Sequence, residues 1–265
     1  MYVACEMTRT RRIAVLIDGG FFLKRLRKWP IDRKDPVAVA EALKRVCRKH
    51  VQRLCHLDAQ DESGVWLDQV YRLFYYDAHP YAGTHHHPIE NQQIDFSKTD
   101  EAIFRRALFS EVLRRRKFAL RLGHVQKESD WARRNRQIKA LLKILPHISH
   151  LERRVSGDTG ADGEADAAAL KALEAWKNLE AGDLEIPMRQ KGVDMRIGLD
   201  IATMTLKRQV DTIVLVTGDS DFVPAAKLAR REGVEIILDP LWQAVDDSLL
   251  EHVDGLASGL GRPEA

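Results

Sequence analysis

Cysteine is scarce in this sequence, and no two cysteines stand at close spacing. The three present, Cys5, Cys47 and Cys55, form no C-x-x-C motif. Three thiols cannot pair completely, and Cys47 stands among apolar residues at helical spacing. We therefore expect free thiols and a reducing, cytoplasmic compartment rather than a disulfide framework.

Long hydrophobic runs are missing as well. No apolar stretch approaches the roughly 20 residues of a membrane-spanning helix, and Met1 to Arg12 lacks the apolar core of a signal peptide. A Walker motif, G-x-x-x-x-G-K-[ST], is also absent, which argues against a Walker-type NTPase. We expect a cytoplasmic protein with no membrane partner. The oligomeric state stays open, a homodimer included.

Charge of one sign is concentrated in one stretch although the net charge is only +3. Between Arg105 and Arg154, fifteen Lys and Arg residues stand against four acids, a surplus of eleven positive charges. Such a stretch can attract a polyanion, but runs of charge are more often solvated helix faces. Both interpretations remain open from the sequence.

Short apolar runs alternate with helical patterns along much of the chain. Strands are predicted at Arg12–Ile17, Val70–Tyr76, Phe118–Leu122, Thr212–Val216 and Val234–Leu238. Helical patterns follow Asp35-Pro36 and Thr99 or Asp100, and occupy Val193–Arg208, Phe222–Arg231 and Ser248–Leu256. This alternation predicts an α/β protein with a doubly wound, mainly parallel sheet and helices on both faces.

The middle of the chain departs from that alternation. A basic helical stretch is predicted at Ser129–Leu145, a Gly/Asp-rich segment at Ser156–Glu164 and an Ala-rich helix at Ala165–Leu179. We interpret about 125–189 as a helical insert or elaboration within a single domain that spans residues 1–265.

Acidic residues end two of the predicted strands. Asp18 follows the first strand and precedes two glycines, and Asp219-Ser220-Asp221 follows the strand at Thr212. Ligand sites of such sheets lie beyond the carboxyl ends of the strands, so these acids converge if the two strands are neighbours. Carboxylates repel one another unless a cation intervenes, and Mg²⁺ or Mn²⁺ fits oxygen ligands. Such an ion can activate water for attack on a phosphate.

Asp194, at the start of the helix from Val193, is a third candidate ligand. Asp200 lies roughly 240° further around that helix and is expected to point elsewhere. Each acid also has a plainer interpretation: Asp18 can simply end a strand, and Asp194, Asp219 and Asp221 can be helix caps. The combination of strand-end acids with α/β alternation favours the metal site.

The motifs of both ends of the chain resemble those of NYN domains, which belong to the PIN-like nuclease superfamily. RIAVLIDGGFFLKR from Arg12 resembles the first strand and turn, and VDMRIGLDIATMTLKRQVDTIVLVTGDSDFVPAAKLARREGVEIIL from Val193 resembles the carboxyl half. YRLFYYDAHP from Tyr71 fits the LabA-like branch of the family. TGDSDF with Pro224 is the most specific part.

The resemblance implies a PIN-like, Rossmann-like fold and a Mg²⁺- or Mn²⁺-dependent ribonuclease that acts on RNA, with single-stranded RNA favoured. By position, Asp18, Asp194, Asp219 and Asp221 match the family's acidic site, with Asp200 as a secondary acid. Many members carry Asn shortly after the first Asp, whereas this chain has Gly19-Gly20-Phe21-Phe22.

Three further residues are candidates for substrate contacts. Lys191, Thr217 and Ser220 stand beside the acids, although a solvated lysine and turn hydrogen bonds are alternatives. We therefore expect an endoribonuclease in which Asp18, Asp194 and Asp219 hold the metal and Asp221 assists. The alternative is a non-catalytic RNA-binding or regulatory module. A haloacid-dehalogenase-type phosphatase fits poorly, because Gly20 stands where its second Asp is needed.

Overall fold

The computed structural model of the chain describes residues 11–60, 63–133, 138, 141–157 and 163–263. Cys5 and most of the amino-terminal segment considered above lie outside these residues. Cys47 is buried, Cys55 is partly exposed, and both are free thiols.

The strands, in chain order, are β1 (Ile13–Asp18), β2 (Val70–His79), β3 (Thr84–His86), β4 (Gln93–Asp95), β5 (Phe118–Lys127), β6 (Ala132–Arg133), β7 (Leu184–Glu185), β8 (Met188–Lys191), β9 (Thr212–Val216), β10 (Glu235–Asp239) and β11 (Gly255–Leu256). The helices are α1 (Gly19–Arg25), α2 (Pro36–Leu54), α3 (Asp100–Leu113), α4 (Ile148–Val155), α5 (Gly163–Lys177), α6 (Val193–Leu206), α7 (Val223–Arg231) and α8 (Asp247–Leu250).

The main sheet has the strand order β11-β10-β9-β1-β2-β5-β8. β1 lies at its centre and pairs in parallel with both β2 and β9, and the pairs β2–β5, β9–β10 and β10–β11 are parallel as well. The chain therefore builds outward from β1 in both directions. This confirms the predicted α/β class with a doubly wound, mainly parallel sheet.

Helices cover both faces of this sheet. Successive side chains of β1 point to opposite faces, so β1 contributes to a separate buried cluster on each side. Ile13, Val15 and Ile17 belong to a buried cluster with residues of α1, α2 and α3. Ala14 and Leu16 belong to a second cluster with residues of α6, α7 and α8. A strand buried on both faces reads as a continuous apolar run, which is why β1 and β9 were recognisable from the sequence.

Several predicted boundaries are wrong. The strand predicted to end at Tyr76 continues to His79, because β2 pairs with β5 as far as His124. The helix predicted at Ser248–Leu256 ends at Leu250, and Gly255–Leu256 instead form β11. There, Asp254 accepts a hydrogen bond from the backbone N–H of Ile236, 2.8 Å, which holds the segment beside β10.

The contacts within the chain divide it into two compact units. Of the described residues, the first unit contains those within 1–82, 97–125 and 190–265, and the second contains those within 83–96 and 126–189. The second contains α4 and α5 together with two small antiparallel pairs, β3–β4 and β6–β7. β6 occupies part of the predicted basic helix, so this prediction is wrong at 132–133, while 134–137 and 139–140 lie outside the described residues. A single domain with an insert stays a prediction.

Among the helices of the described residues, none combines the length and the apolar character that a membrane crossing requires.

Candidate functional site

The carboxyl edge of β1 and β9 brings together two of the sequence's acidic segments. The two strands are direct neighbours, and their pairing runs up to Ile17 opposite Val216. Asp18 and Thr217 are the next residues of each chain segment, so they leave the sheet at the same edge. The neighbour relationship expected from the strand-end acids is therefore present.

Asp18 is fixed at this edge by two hydrogen bonds. As the N-cap of α1, it accepts from the backbone N–H of Phe21 on Oδ1, at 3.1 Å. Its second oxygen, Oδ2, accepts from the hydroxyl of Thr217, at 3.4 Å. Asp18 is thus a carboxylate held towards β9 and also a helix cap, a role that was not predicted for it.

The pKa of Asp18 is raised to about 6, and burial of the carboxyl group is the largest cause. The backbone N–H of Phe21 opposes this rise, whereas the negative charges of Asp194 and Asp77 add to it. A buried carboxylate with two acidic neighbours disfavours its own ionisation. The same electrostatics make this edge favourable for a positive charge.

Asp219 and its neighbours form the turn after β9. The backbone N–H of Asp219 donates to the Thr217 hydroxyl at 3.3 Å, and Asp219 in turn caps the 3-10 turn Ser220–Phe222 by accepting from the N–H of Asp221 at 3.0 Å. Asp219, Ser220 and Asp221 are all exposed. Thr217 is fully buried and links this turn to Asp18.

Asp194 lies in the first turn of α6 and is exposed. It is not the cap of that helix, because Gly192 holds the N-cap position with a φ of 77°. Lys191 ends β8 and is partly exposed. The carbonyl oxygen of Lys191 lies so close to Gly123 that a Cβ on Gly123 would collide with it. The backbone before Asp194 is therefore held against β5.

Asp200 has a different environment from the other acids. Its Oδ2 accepts from the hydroxyl of Tyr76 at 2.8 Å and from Nε of Arg121 at 3.1 Å. These contacts tie α6 to β2 and β5 on the face of the sheet. Asp200 is thus held by Tyr76 and Arg121, and its direction relative to Asp194 stays a prediction from the angle around the helix.

Asp77 is an acid of this site that was not predicted from the sequence. It follows Tyr76, the register partner of Asp18, and it is completely buried. Its carboxylate accepts hydrogen bonds from the Tyr75 hydroxyl at 3.2 Å and the Ala78 N–H at 2.8 Å. Asp77 directly follows the strand predicted to end at Tyr76, so the rule applied to Asp18 and Asp219 could have found it.

Arg105 and Gln190 hold Asp77 in place. Arg105, on α3, forms an ion pair with Oδ1 of Asp77, and the side-chain amide of Gln190 donates to the same oxygen at 3.1 Å. Burial raises the pKa of Asp77, and the charge of Arg105 opposes that rise. Gln190 Oε1 also lies 3.6 Å from where a Cβ on Gly20 would be. The side-chain amide of Gln190, from β8, therefore lies beside the Gly19-Gly20 turn.

Two glycines allow the close approaches on which this geometry depends. A Cβ on Gly19 would lie 2.6 Å from both the Tyr75 ring and the carbonyl oxygen of Tyr76. A Cβ on Gly218 would lie 2.8 Å from the ring of Phe21. At both positions the absence of a side chain lets α1 pack closely against its neighbours. A larger residue at either position would displace α1 and with it Asp18.

The fit of these residues to a metal ion is partial. In the parts of the chain described above, no group of three or more His, Cys, Asp or Glu side chains is arranged around one position. The donor type nevertheless suits a hard cation, because these are carboxylate oxygens and the negative charges of Asp77 and Asp194 disfavour the ionisation of the buried Asp18.

Many cations of the basic stretch between Arg105 and Arg154 are engaged in ion pairs. The pairs within the described residues include Arg105–Asp77, Arg114–Glu111, Arg115–Glu41, Arg121–Asp200, Lys127–Asp130 and Arg154–Asp166. The stretch therefore supplies much of its charge to internal contacts, which favours the plainer of its two interpretations.

The fold and site define a doubly wound α/β protein with acids at the carboxyl edge of its central strands. Residues 171–254 match the family model of the NYN domain. The match begins within α5 and ends just before β11, so it covers Asp194, Asp200, Asp219 and Asp221. Asp18 lies outside it, and the adjacency of β1 to β9 brings that residue to the matched part.

The match supports the resemblance to NYN domains, and the LabA-like branch stays a prediction. The crystal structure of a protein of unknown function from Vibrio parahaemolyticus is similar over 94% of this chain and 93% of that chain, with a TM-score of 0.41 and 14% identity. No curated protein matches this chain.

Proposed function

We propose that this protein is a metal-dependent ribonuclease, most specifically an endoribonuclease of the LabA-like type, that hydrolyses RNA phosphodiesters at the carboxyl edge of β1 and β9. The observation that carries the proposal is the pairing of these strands, with the Thr217 hydroxyl bonded to Asp18. The NYN match adds support, because NYN domains belong to the PIN-like nuclease superfamily.

In this proposal Asp18, Asp194 and Asp219 hold a hard divalent cation, Mg²⁺ or Mn²⁺. When bound, such a cation lowers the pKa of water and neutralises charge that develops on the phosphodiester. The low exposure of Asp18 and the charges of Asp77 and Asp194 support a cation at this edge. The hydroxyl of Thr217 links the exposed turn at Asp219 to Asp18, because it donates to Asp18 and accepts from the backbone N–H of Asp219.

The remaining residues have positioning and substrate roles. Thr217 orients the carboxylate of Asp18, to which it donates. Asp221, exposed beside Asp219, is the assisting acid, and Lys191 and Ser220 contact a phosphate of the substrate. Asp200 has a structural role through Tyr76 and Arg121 and is left out of the chemistry. Cytoplasmic RNA remains the expected substrate.

The test is cleavage of end-labelled single-stranded RNA by the purified chain with Mn²⁺ or Mg²⁺. We expect internal cleavage that chelation abolishes, and losses of at least about a hundredfold for Asp18→Asn and Asp219→Asn. Glu232→Gln is the matched control, because this exposed acid follows α7 at the opposite edge of the sheet. Equal rates in all four proteins would remove the ribonuclease assignment.

A further inference from the structure

A cavity of about 750 Å³ opens beside the candidate site. Three parts of the chain surround it: α1 and the segment that follows α1, the start of α2, and α3. Its lining includes Gly20, Lys24, Arg27, Arg33, Lys34 and Phe104. We call this cavity the α1 groove. Its volume is within the range of pockets that enclose a ligand the size of a nucleotide.

The α1 groove is rich in unpaired positive charge. Lys24, Arg27, Arg33 and Lys34 are exposed, and within the described ranges none of their side chains makes an ion pair or hydrogen bond. This distinguishes them from the many paired cations of the basic stretch. Four free cations around one concave surface concentrate positive potential, which attracts a polyanion.

The acids that line the groove do not cancel this charge. Glu101 hydrogen-bonds to Nε of Arg105 at 2.7 Å, and Arg105 is itself paired with Asp77. Asp100 is the other lining acid. Asp100 is therefore the one lining acid of the described residues that has no such cationic partner. Against it stand four unpaired cations, so the groove keeps an excess of positive charge.

The groove is continuous with the candidate site. Gly20 lines it and lies two residues after Asp18. Arg105 lines it as well and holds Asp77 through their ion pair. A chain of phosphates lying in the groove would thus pass directly beside the acidic edge.

One wall of the groove is apolar. Leu23, Ile103 and Phe104 contribute to the lining, and Ile103 is 53% exposed. This combination suits a nucleotide whose base is unpaired. The phosphate can contact the cations, and the flat face of the base can pack against the apolar wall. In a duplex the bases are stacked and paired, so they cannot reach such a wall.

We propose that the α1 groove binds the backbone of single-stranded RNA next to the phosphodiester that the acidic edge cleaves. Lys24, Arg27, Arg33 and Lys34 contact successive phosphates, and a base packs against Ile103 and Phe104. This inference rests on the proposed ribonuclease function and adds to it the strand form of the substrate and the residues that hold it.

The test measures binding separately from cleavage. Fluorescent single-stranded RNA, and a duplex of the same sequence, are titrated at several salt concentrations with the full chain carrying Asp18→Asn. Lys24→Gln/Arg27→Gln is added to that chain. The matched control is Arg72→Gln/Lys207→Gln, which removes the same charge from exposed positions near the opposite edge of the sheet.

We expect the groove variant to bind single-stranded RNA at least about tenfold more weakly. The slope of log affinity against log salt should fall by about 0.7 for each phosphate that the removed cations no longer neutralise. The control should bind like its parent, and the duplex should bind more weakly than the single strand. Equal affinities of the groove variant and the control, or tighter binding of the duplex, would overturn the proposal.

The outcomes for the groove and for the nuclease are distinguishable. If the unmodified chain cleaves RNA but Lys24→Gln/Arg27→Gln leaves binding and the KM for cleavage unchanged, the groove is rejected and the ribonuclease stands. If no cleavage occurs while single-stranded RNA still binds through Lys24 and Arg27, the groove is an RNA site and the nuclease function is rejected. That result would favour the non-catalytic RNA-binding alternative.

Discussion

Thr217 donates a hydrogen bond from its hydroxyl to Oδ2 of Asp18, although 199 positions separate the two residues in the chain. The contact exists because β9 inserts beside β1 in the sheet. It is the direct link between the amino-terminal acid and the carboxyl-terminal TGDSD turn.

Replacing Thr217 with Val keeps the volume of this buried side chain and removes the donor to Asp18. A hydrogen bond of this kind contributes about 0.5–1.5 kcal/mol, so we expect kcat for RNA cleavage to fall about two- to tenfold with little change in KM. Thr217→Ser keeps the hydroxyl and should restore the rate. A loss in Thr217→Ser as large as in Thr217→Val would contradict the positioning role.

The stability of the fold should carry a pH signature of Asp18. Its folded pKa of about 6 exceeds the ordinary value of 3.8, so the folded state holds the proton more strongly than the unfolded state. Ionisation of Asp18 therefore reduces the free energy of unfolding as the pH rises from 3.8 to 6. The cost above that window is on the order of 2–3 kcal/mol.

Asp18→Asn removes that cost and can still cap α1. Without divalent cations, we expect the variant to unfold at a higher temperature than the parent at pH 7.5, and the difference to vanish near pH 3.5. Thermal unfolding across this range provides the measurement. Addition of Mn²⁺ should stabilise the parent and not the variant. A difference that is the same at both pH values would refute the electrostatic explanation.

The buried ion pair of Arg105 and Asp77 should show strong coupling. Arg105→Met leaves the Asp77 carboxylate without its counter-charge, and the expected loss is about 3–5 kcal/mol. The pKa of Asp77, already raised by burial, rises further, so the loss should be larger at pH 8 than at pH 4.5. Urea denaturation of both single variants and of Arg105→Met/Asp77→Asn measures the coupling. Additive losses in the double variant would show that the pair is not coupled.

Gly19 and Gly20 form a matched pair for the packing of α1. A Cβ on Gly19 would collide with the Tyr76 carbonyl at 2.6 Å, whereas one on Gly20 would meet side-chain oxygens at 3.5 and 3.6 Å. We expect Gly19→Ala to lower the free energy of unfolding by about 1–3 kcal/mol. Gly20→Ala should be neutral or stabilising by up to about 1 kcal/mol. Differential scanning calorimetry distinguishes the two, and equal midpoints would contradict this geometry.

The sequence by itself determined the α/β class and the candidate acids at the ends of the two central strands. β1 and β9 are buried on both faces, so their apolar runs are continuous, and Asp18 and Asp219 stand out at their ends. The cap at Asp35 and the start of α2 at Pro36 were also readable, because these signals are local.

Only the tertiary structure separated strand-end acids with similar sequence signals. Asp239 ends β10 but is fully buried, and its carboxylate is engaged by His50 at 2.7 Å and by the N–H groups of Leu241 and Gly259. Asp77 is buried and joins Asp18, because β2 continues beyond Tyr76. Arg105 and Gln190, the partners of Asp77, come from elements distant in the chain. Residue spacing in the sequence does not show which strands become neighbours in the sheet. The same reason applies to the cations: many of those in the basic stretch have internal partners, whereas Lys24 and Arg27 form no ion pair with any residue that the structure describes.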